Sequence, residues 1–191
     1  IKAAALNRTI TAIIFLAAAA SSFGGQPSDR DQAMAAKAAL GKALKSELVA
    51  GLQSGGPLAA IEVCNTRAPA IAESVSLEQG MQVSRVSLRN RNPGNAPSDW
   101  QEAVLLDFEE RVEMGEDAGG LSWQKTVDTG QGKEYRFMKA IPTGGVCLAC
   151  HGKTLAPEVR SAIAELYPED KATGFSEGDL RGAFVVVKKA P

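Results

Sequence analysis

Cys147, Cys150 and His151 stand in the run Cys147-Leu148-Ala149-Cys150-His151, the pattern with the most definite chemistry in the chain. Two thiols three positions apart share one helical turn, so both sulfurs can bond to one planar group. The adjacent imidazole then lies over the centre of that group. C-x-x-C-H is the attachment pattern for c-type haem. Each sulfur forms a thioether with a vinyl group, and His151 supplies the proximal nitrogen to iron. Gly144, Gly145 and Gly152 flank the run and let the backbone approach the macrocycle closely. The run therefore predicts one covalent haem c, held by Cys147 and Cys150 with His151 as proximal ligand.

Two other chemistries fit the same residues less well. A thioredoxin-like pair of Cys147 and Cys150 would follow a βαβ pattern, which the preceding sequence lacks. A structural zinc site could use Cys64, Cys147, Cys150 and His151, a Cys₃His set. Adjacent ligands at 150 and 151 suit one tetrahedral ion poorly.

The chain has 191 residues, three cysteines and one histidine. A single histidine excludes every metal site that needs two. It also leaves no second imidazole for the far side of the iron. The candidates there are Cys64, Met34, Met81, Met114, Met138, a lysine, or an open or water-bound position. Methionine is a common partner in electron carriers. Cys64 is the thiol left over, and a free cysteine is also frequently a small buried hydrophobe. Spacing alone leaves these readings open.

Charge decides less. Lys and Arg number 21 against 22 Asp and Glu, a formal net charge of −1, and no basic block is present. Nucleic acid is not the expected partner. Apolar residues make up 45 %, enough for a buried core.

Residues 1–25 have the layout of a secretory signal peptide. Lys2 and Arg8 flank an apolar run over 10–20, and the small residues Ala19, Ala20, Ser21 and Ser22 follow. The run falls short of the roughly 20 apolar residues of a bilayer span. Cleavage is expected between Ala20 and Gly25. The mature protein, residues 26–191, is then expected in the periplasm or another extracytoplasmic space, without a membrane span. Covalent haem attachment takes place in such a compartment.

The elements that must position the site can be read along the mature chain. Residues 29–53, rich in Ala, Lys and Leu, predict a long amphipathic helix with Ser28 or Asp29 as N-cap. Ser54-Gly55-Gly56 should end it, and Pro57 suits the first turn of the next helix. Ile61, Cys64, Ala68 and Ile71 share one face of that helix, which Pro69 should kink or split. Alternation over 81–88 predicts a strand, and 89–97 a polar loop. Asp99 caps an expected helix over 100–114, ended by 116–120. Strands over 121–127 and 133–141 form a hairpin through Asp128-Thr129-Gly130-Gln131-Gly132. A helix over 157–166 and an apolar strand over 182–188 follow. The order predicts one α+β domain with an antiparallel sheet.

Three loop residues have two readings. Arg85, Arg89 and Arg91 could pair with haem propionates, or brace the loop with Asn90, Asn92 and Asn95. Trp123, Tyr135 and Phe137 are likewise either pocket wall or ordinary core.

Four blocks carry a family resemblance. They are Ala60-Ile61-Glu62-Val63-Cys64-Asn65; the loop from Arg85 to Pro97 with Trp100; Val146 to Lys153; and Gly174 to Ala183. Together they resemble the single-haem c-type cytochromes with a PAS-like fold, a family long catalogued as a domain of unknown function. The resemblance covers nearly all of the mature chain. It implies a PAS-like antiparallel sheet with flanking helices and a cysteine–histidine axial pair; the long N-terminal helix is the one read from residues 29–53. Cys64 is the cysteine that fits this role, because Cys147 and Cys150 carry the thioethers.

These observations predict an exported redox sensor or low-potential electron-transfer protein. Its partner would be a redox protein or a membrane-bound signalling protein. A gas sensor with a labile sixth ligand is the alternative. Peroxidase-like catalysis fits poorly, since His151 is committed to iron and no distal histidine exists.

Overall fold

Ser28 opens the first helix: its side chain accepts from the Asp31 N–H at 3.2 Å, and the Asp31 carboxylate accepts from the Ser28 N–H at 3.3 Å. The computed structural model describes residues 27–190. The expected signal segment, 1–25, lies outside the described residues.

Helix α1 (Asp29–Thr66) is continuous in outline but broken at two glycines, Gly55 (φ −157°, ψ 20°) and Gly56 (φ 68°, ψ −156°). Gly56 takes a left-handed φ that other residues avoid. Pro57 then restarts the helix, as the sequence predicts. Arg67 separates α1 from α2 (Ala68–Gln79), with Pro69 in the first turn of α2. The proline therefore splits the helical run.

Strand β1 (Gln82–Val86) leads through a short 3₁₀ turn (Pro93–Asn95) to helix α3 (Asp99–Glu113). The cap of α3 is Ser98, whose N–H donates to Gln101 Oε1 at 2.9 Å; Asp99, expected as the cap, is the first helical residue. Strands β2 (Ser122–Thr129) and β3 (Gly132–Pro142) make the expected hairpin. The C-x-x-C-H run forms helix α4 (Leu148–His151), and α5 (Pro157–Leu166) follows. Strand β4 (Leu180–Lys189) completes the sheet, whose order is β1-β4-β3-β2 with antiparallel pairs throughout.

The fold is α+β: a four-stranded antiparallel sheet flanked by helices, with a long N-terminal helix. Alternation along the strands divides the core. One sheet face sends Val83, Phe137 and Val186 against Ala33, Ala36 and Leu40 of α1 and Val75 of α2. The other sends Val86, Met138, Ala140 and Val185 against Val104, Leu105 and Phe108 of α3. A third apolar cluster lies outside the sheet, where Ile61 of α1 meets Leu155, Val159, Ile163 and Tyr167. Cys150 packs at its edge, so this cluster holds the end of α1 against α4 and α5.

The aromatic residues of the hairpin belong to the core. Phe137 is fully buried beneath α1, and Tyr135 packs beside it. Trp123 stacks on Trp100 with ring centroids 5.7 Å apart, on the α3 face of the sheet. Sheet register, and not a pocket, explains all three. No helix among the described residues is long and apolar enough to cross a membrane.

Candidate functional site

Cys147 ends a 3₁₀ turn (Gly145–Cys147) that runs directly into α4, so the C-x-x-C-H run is one helical segment. The Cys147 N–H donates to the Gly144 carbonyl at 2.9 Å and the Gly152 N–H to the Leu148 carbonyl at 2.9 Å. Gly152 is required at that cap, since a Cβ there would meet the Leu148 oxygen at 2.5 Å. Its role is to close the turn. The segment 172–175 runs alongside: the Phe175 N–H donates to the His151 carbonyl at 2.9 Å and the Gly174 N–H to the Gly152 carbonyl at 3.0 Å.

His151 is held in one orientation. Its Nδ1 lies 2.7 Å from the Ala172 carbonyl oxygen. A carbonyl can only accept, so Nδ1 carries the proton and Nε2 keeps a free lone pair. Phe175 meets the ring edge-on with centroids 6.3 Å apart. Burial, helped by the positive charges of Arg181 and Arg91, lowers the imidazole pKa to about 3, against the opposing pull of the Ala172 bond and Asp170. His151 is therefore neutral across the physiological range, the form that coordinates a metal.

The polar loop braces this segment. Arg91 Nε donates to Asp170 Oδ1 at 2.9 Å, and its Nη2 donates to the Cys150 carbonyl at 2.6 Å and the Ala172 carbonyl at 3.2 Å. Arg89 donates to the Thr173 carbonyl and lies 3.9 Å above the Phe175 ring. Arg181 donates to Ser87 Oγ and to the Arg89 carbonyl, each at 3.2 Å. Arg85 is different. It makes no side-chain hydrogen bond or ion pair among the described residues, and burial lowers its pKa, which Cys64 and Tyr167 would raise only in their ionised forms. Bracing thus accounts for Arg89 and Arg91, and Arg85 is the one guanidinium of the three left to meet an anion.

Cys64 departs from the expectation that it shares the apolar face of its helix. Ile61 and Ala68 are buried, but solvent reaches the Cys64 thiol. It is therefore not a core hydrophobe. Protein crowded around it raises its pKa by desolvation, while Arg85, Arg91 and Arg181 pull it down. Burial likewise pushes up the Cys150 thiol and the Tyr167 phenol, the latter to about 12, and an ionised Cys64 would push both further. The fold thus brings Cys64 into one neighbourhood with Cys150, Tyr167 and three arginines. All three cysteines are free thiols, and no three-donor metal cluster forms among the described residues, so the zinc set is not assembled.

The methionines lie elsewhere. Met81 and Met138 are buried in the two sheet cores, Met114 is exposed beyond the end of α3, and Met34 is on α1. None belongs to the cluster that includes Cys150. Residues Asp170, Ala172, Phe175, Arg181 and Tyr167 escaped sequence reasoning as site residues. Tyr167 caps α5, Arg181 stands at the start of β4, and the others lie in the glycine- and charge-rich stretch between, which is too irregular in period to predict as an element.

Residues 7–188 match the model of the Tll0287-like family, described as Tll0287. The chain belongs to the Tll0287-like family. A solved structure, the crystal structure of the cyanobacterial heme-protein Tll0287, is similar to it with a TM-score of 0.65 and 26 % identity. That likeness covers 87 % of this chain and 98 % of the other. No curated protein matches the chain. Within the Tll0287-like family, the residues of this member fit a haem well. They supply a neutral, fixed imidazole with a free Nε2, two free thiols on the same turn, an accessible third thiol and an unpaired guanidinium.

Proposed function

We propose that this protein binds one haem c, with thioether links from Cys147 and Cys150 and with His151 and Cys64 as axial ligands. The observation that carries the reading is the His151 ring: Nδ1 is committed to Ala172 at 2.7 Å and the lone pair of Nε2 is free. Cys64 supports it as an accessible thiol near the end of α1, the helix whose Ile61 packs into the cluster that Cys150 edges. The similarity to a solved heme-protein supports it further. Haem supplies one-electron redox chemistry at iron when bound. The chain's own residues fix the ligand tautomer, exclude bulk water from the imidazole and offer Arg85 to a negative charge.

A thiolate ligand donates charge to iron and favours the ferric state, so the reading is of a low-potential electron-transfer protein or redox sensor. His151, the one imidazole, is used for ligation, which favours these roles over catalysis. The segment 1–25 supports export to the periplasm. The partner is a redox protein or a membrane-bound signalling protein.

Expression with cytochrome c maturation machinery tests the proposal. Haem should stay with the polypeptide through denaturing electrophoresis, and Cys147→Ala with Cys150→Ala should abolish this. Cys64→Ala should alter the ferric optical spectrum; an unchanged spectrum removes the thiolate. Carbon monoxide binding by the reduced wild type would favour the gas-sensor alternative.

A further inference from the structure

Helix α1 doubles back at Gly55 and Gly56. A straight helix would hold residues 47 and 67 about 30 Å apart, yet Arg67 Nη1 lies 2.5 Å from Glu47 Oε2. Residues 29–54 form one limb, and residues 57–66, which include Cys64, form the other. The limbs approach closely at Gly51, which is buried. A Cβ there would meet the Ala60 Cα at 3.0 Å, the Ala60 nitrogen at 3.3 Å and Val63 Cγ2 at 3.4 Å. The Gly51 backbone is helical, so no positive φ calls for glycine, and glycine is a poor helix former. The approach of Ala60 is what calls for it.

The second limb is held from two sides. Ala60, Val63 and Arg67 turn towards the first limb. Ile61, about 100° round the helix from Ala60, packs with Val159 and Ile163 of α5. By helical position Cys64 falls between these two faces. The glycine pair is the pivot. Ala60 lies four residues past Gly56 and Cys64 eight, so a swing of the limb at Ala60 is about doubled at Cys64. The Glu47–Arg67 pair cannot fix the limb by itself, because the Arg67 side chain is 60 % exposed and exposed pairs hold little.

We propose that Gly51 sets the reach of Cys64 to the iron by letting the second limb of α1 lie against the first. Gly51 is a positioning residue: it acts through Ala60 and Val63, not on the thiol. The inference rests on Cys64 ligation, as argued under the proposed function.

The test measures how readily cyanide displaces Cys64 from ferric iron in the haem-loaded protein. Gly51→Ala wedges the limbs apart, and overpacking of this kind should lower the cyanide concentration for half-displacement about fivefold. Gly51→Leu should lower it further. In a Cys64→Ala background no thiolate competes, so Gly51→Ala should leave cyanide binding unchanged. Ala50→Leu, at an exposed position of the same turn, should leave half-displacement as in the wild type. An unaltered half-displacement in Gly51→Ala overturns the proposal. An equal shift in the Cys64→Ala background also overturns it, because that marks a general loosening of the haem pocket. If Gly51→Leu does not accumulate, Gly51→Ala carries the test, since alanine itself favours the helix. Absence of covalent haem, or an unchanged spectrum in Cys64→Ala, would defeat the proposed function first, and this inference with it. A shift missing from a haem-loaded, thiolate-ligated protein would defeat this inference alone.

Discussion

Gly182 of β4 lies so close to Val86 of β1 that a Cβ on it would fall on the Val86 carbonyl oxygen. Its φ of 151° is also a conformation reserved in practice for glycine. The seam between β1 and β4 thus depends on a missing side chain, just where β1 passes into the arginine-bearing loop. Gly182→Ala should cost about 2–3 kcal/mol. Thermal denaturation should show a midpoint lower by about 5–10 °C. An unchanged midpoint would mean that the two strands can separate without penalty.

Gly152 should behave differently from the glycines that precede the cysteine run. Gly152→Ala forces Leu148 away and opens the turn that carries His151, so covalent haem loading should fall. Gly145→Ala meets nothing nearer than Glu177 Oε1 at 3.6 Å, and Gly144→Ala nothing nearer than Cys147 Sγ at 4.0 Å. Both should load normally. Haem absorbance per polypeptide measures all three. Impaired loading in the Gly144 and Gly145 variants would show that the macrocycle itself needs those glycines.

His151 gives the haem-free protein a pH dependence with a definite sign. Above pH 6.5 the imidazole is neutral in both folded and unfolded chains and contributes none. Below that value the unfolded chain takes up the proton first, while the folded ring resists until about pH 3. Stability should therefore decline as pH falls through this window, by about 5 kcal/mol in all. Urea denaturation against pH, compared with His151→Gln, isolates the effect. A curve that is the same in both proteins would contradict it.

Phe137→Ala should destabilise the fold by about 3–5 kcal/mol, because it empties a fully buried site beneath α1. The haem spectrum of whatever protein folds should not change, and Trp123→Phe should likewise leave it untouched. A shifted absorption band in either variant would return these rings to the pocket wall.

Cys64→Met exchanges a charged sulfur donor for a neutral one. The midpoint potential should rise, since the thioether favours the ferrous state. Potentiometric titration beside the wild type decides this. A potential that stays in place would argue that Cys64 does not reach iron.

Most of the scaffold was legible because local rules governed it. Gly55, Gly56 and Pro57 announced the break in α1, and Gly130-Gln131 announced the hairpin. The helix α5 appeared at its predicted bounds, 157–166. The cap of α3 was misplaced by one residue because Ser98 and Asp99 are both good caps, and Gln101 decides between them only through the capping box. Cys147, Cys150 and His151 were legible from spacing alone. Cys64 was legible as a candidate but not as an accessible one. Its exposure depends on how the end of α1 meets α5 through Ile61, a contact that periodicity does not encode. The bonds of Arg91 to Asp170 and to the Ala172 carbonyl were invisible for the same reason: they join residues far apart in sequence, on segments without a period.

The strand order adds a constraint of timing. β4 lies between β1 and β3, although it comes last of the four strands along the chain. The hairpin and β1 cannot join into one sheet until β4 arrives. Everything upstream, including Cys147, Cys150 and His151, therefore leaves the ribosome before the fold can close. The thiols pass through an interval as part of an open chain, and chemistry on their sulfurs that needs such a chain has its opportunity then.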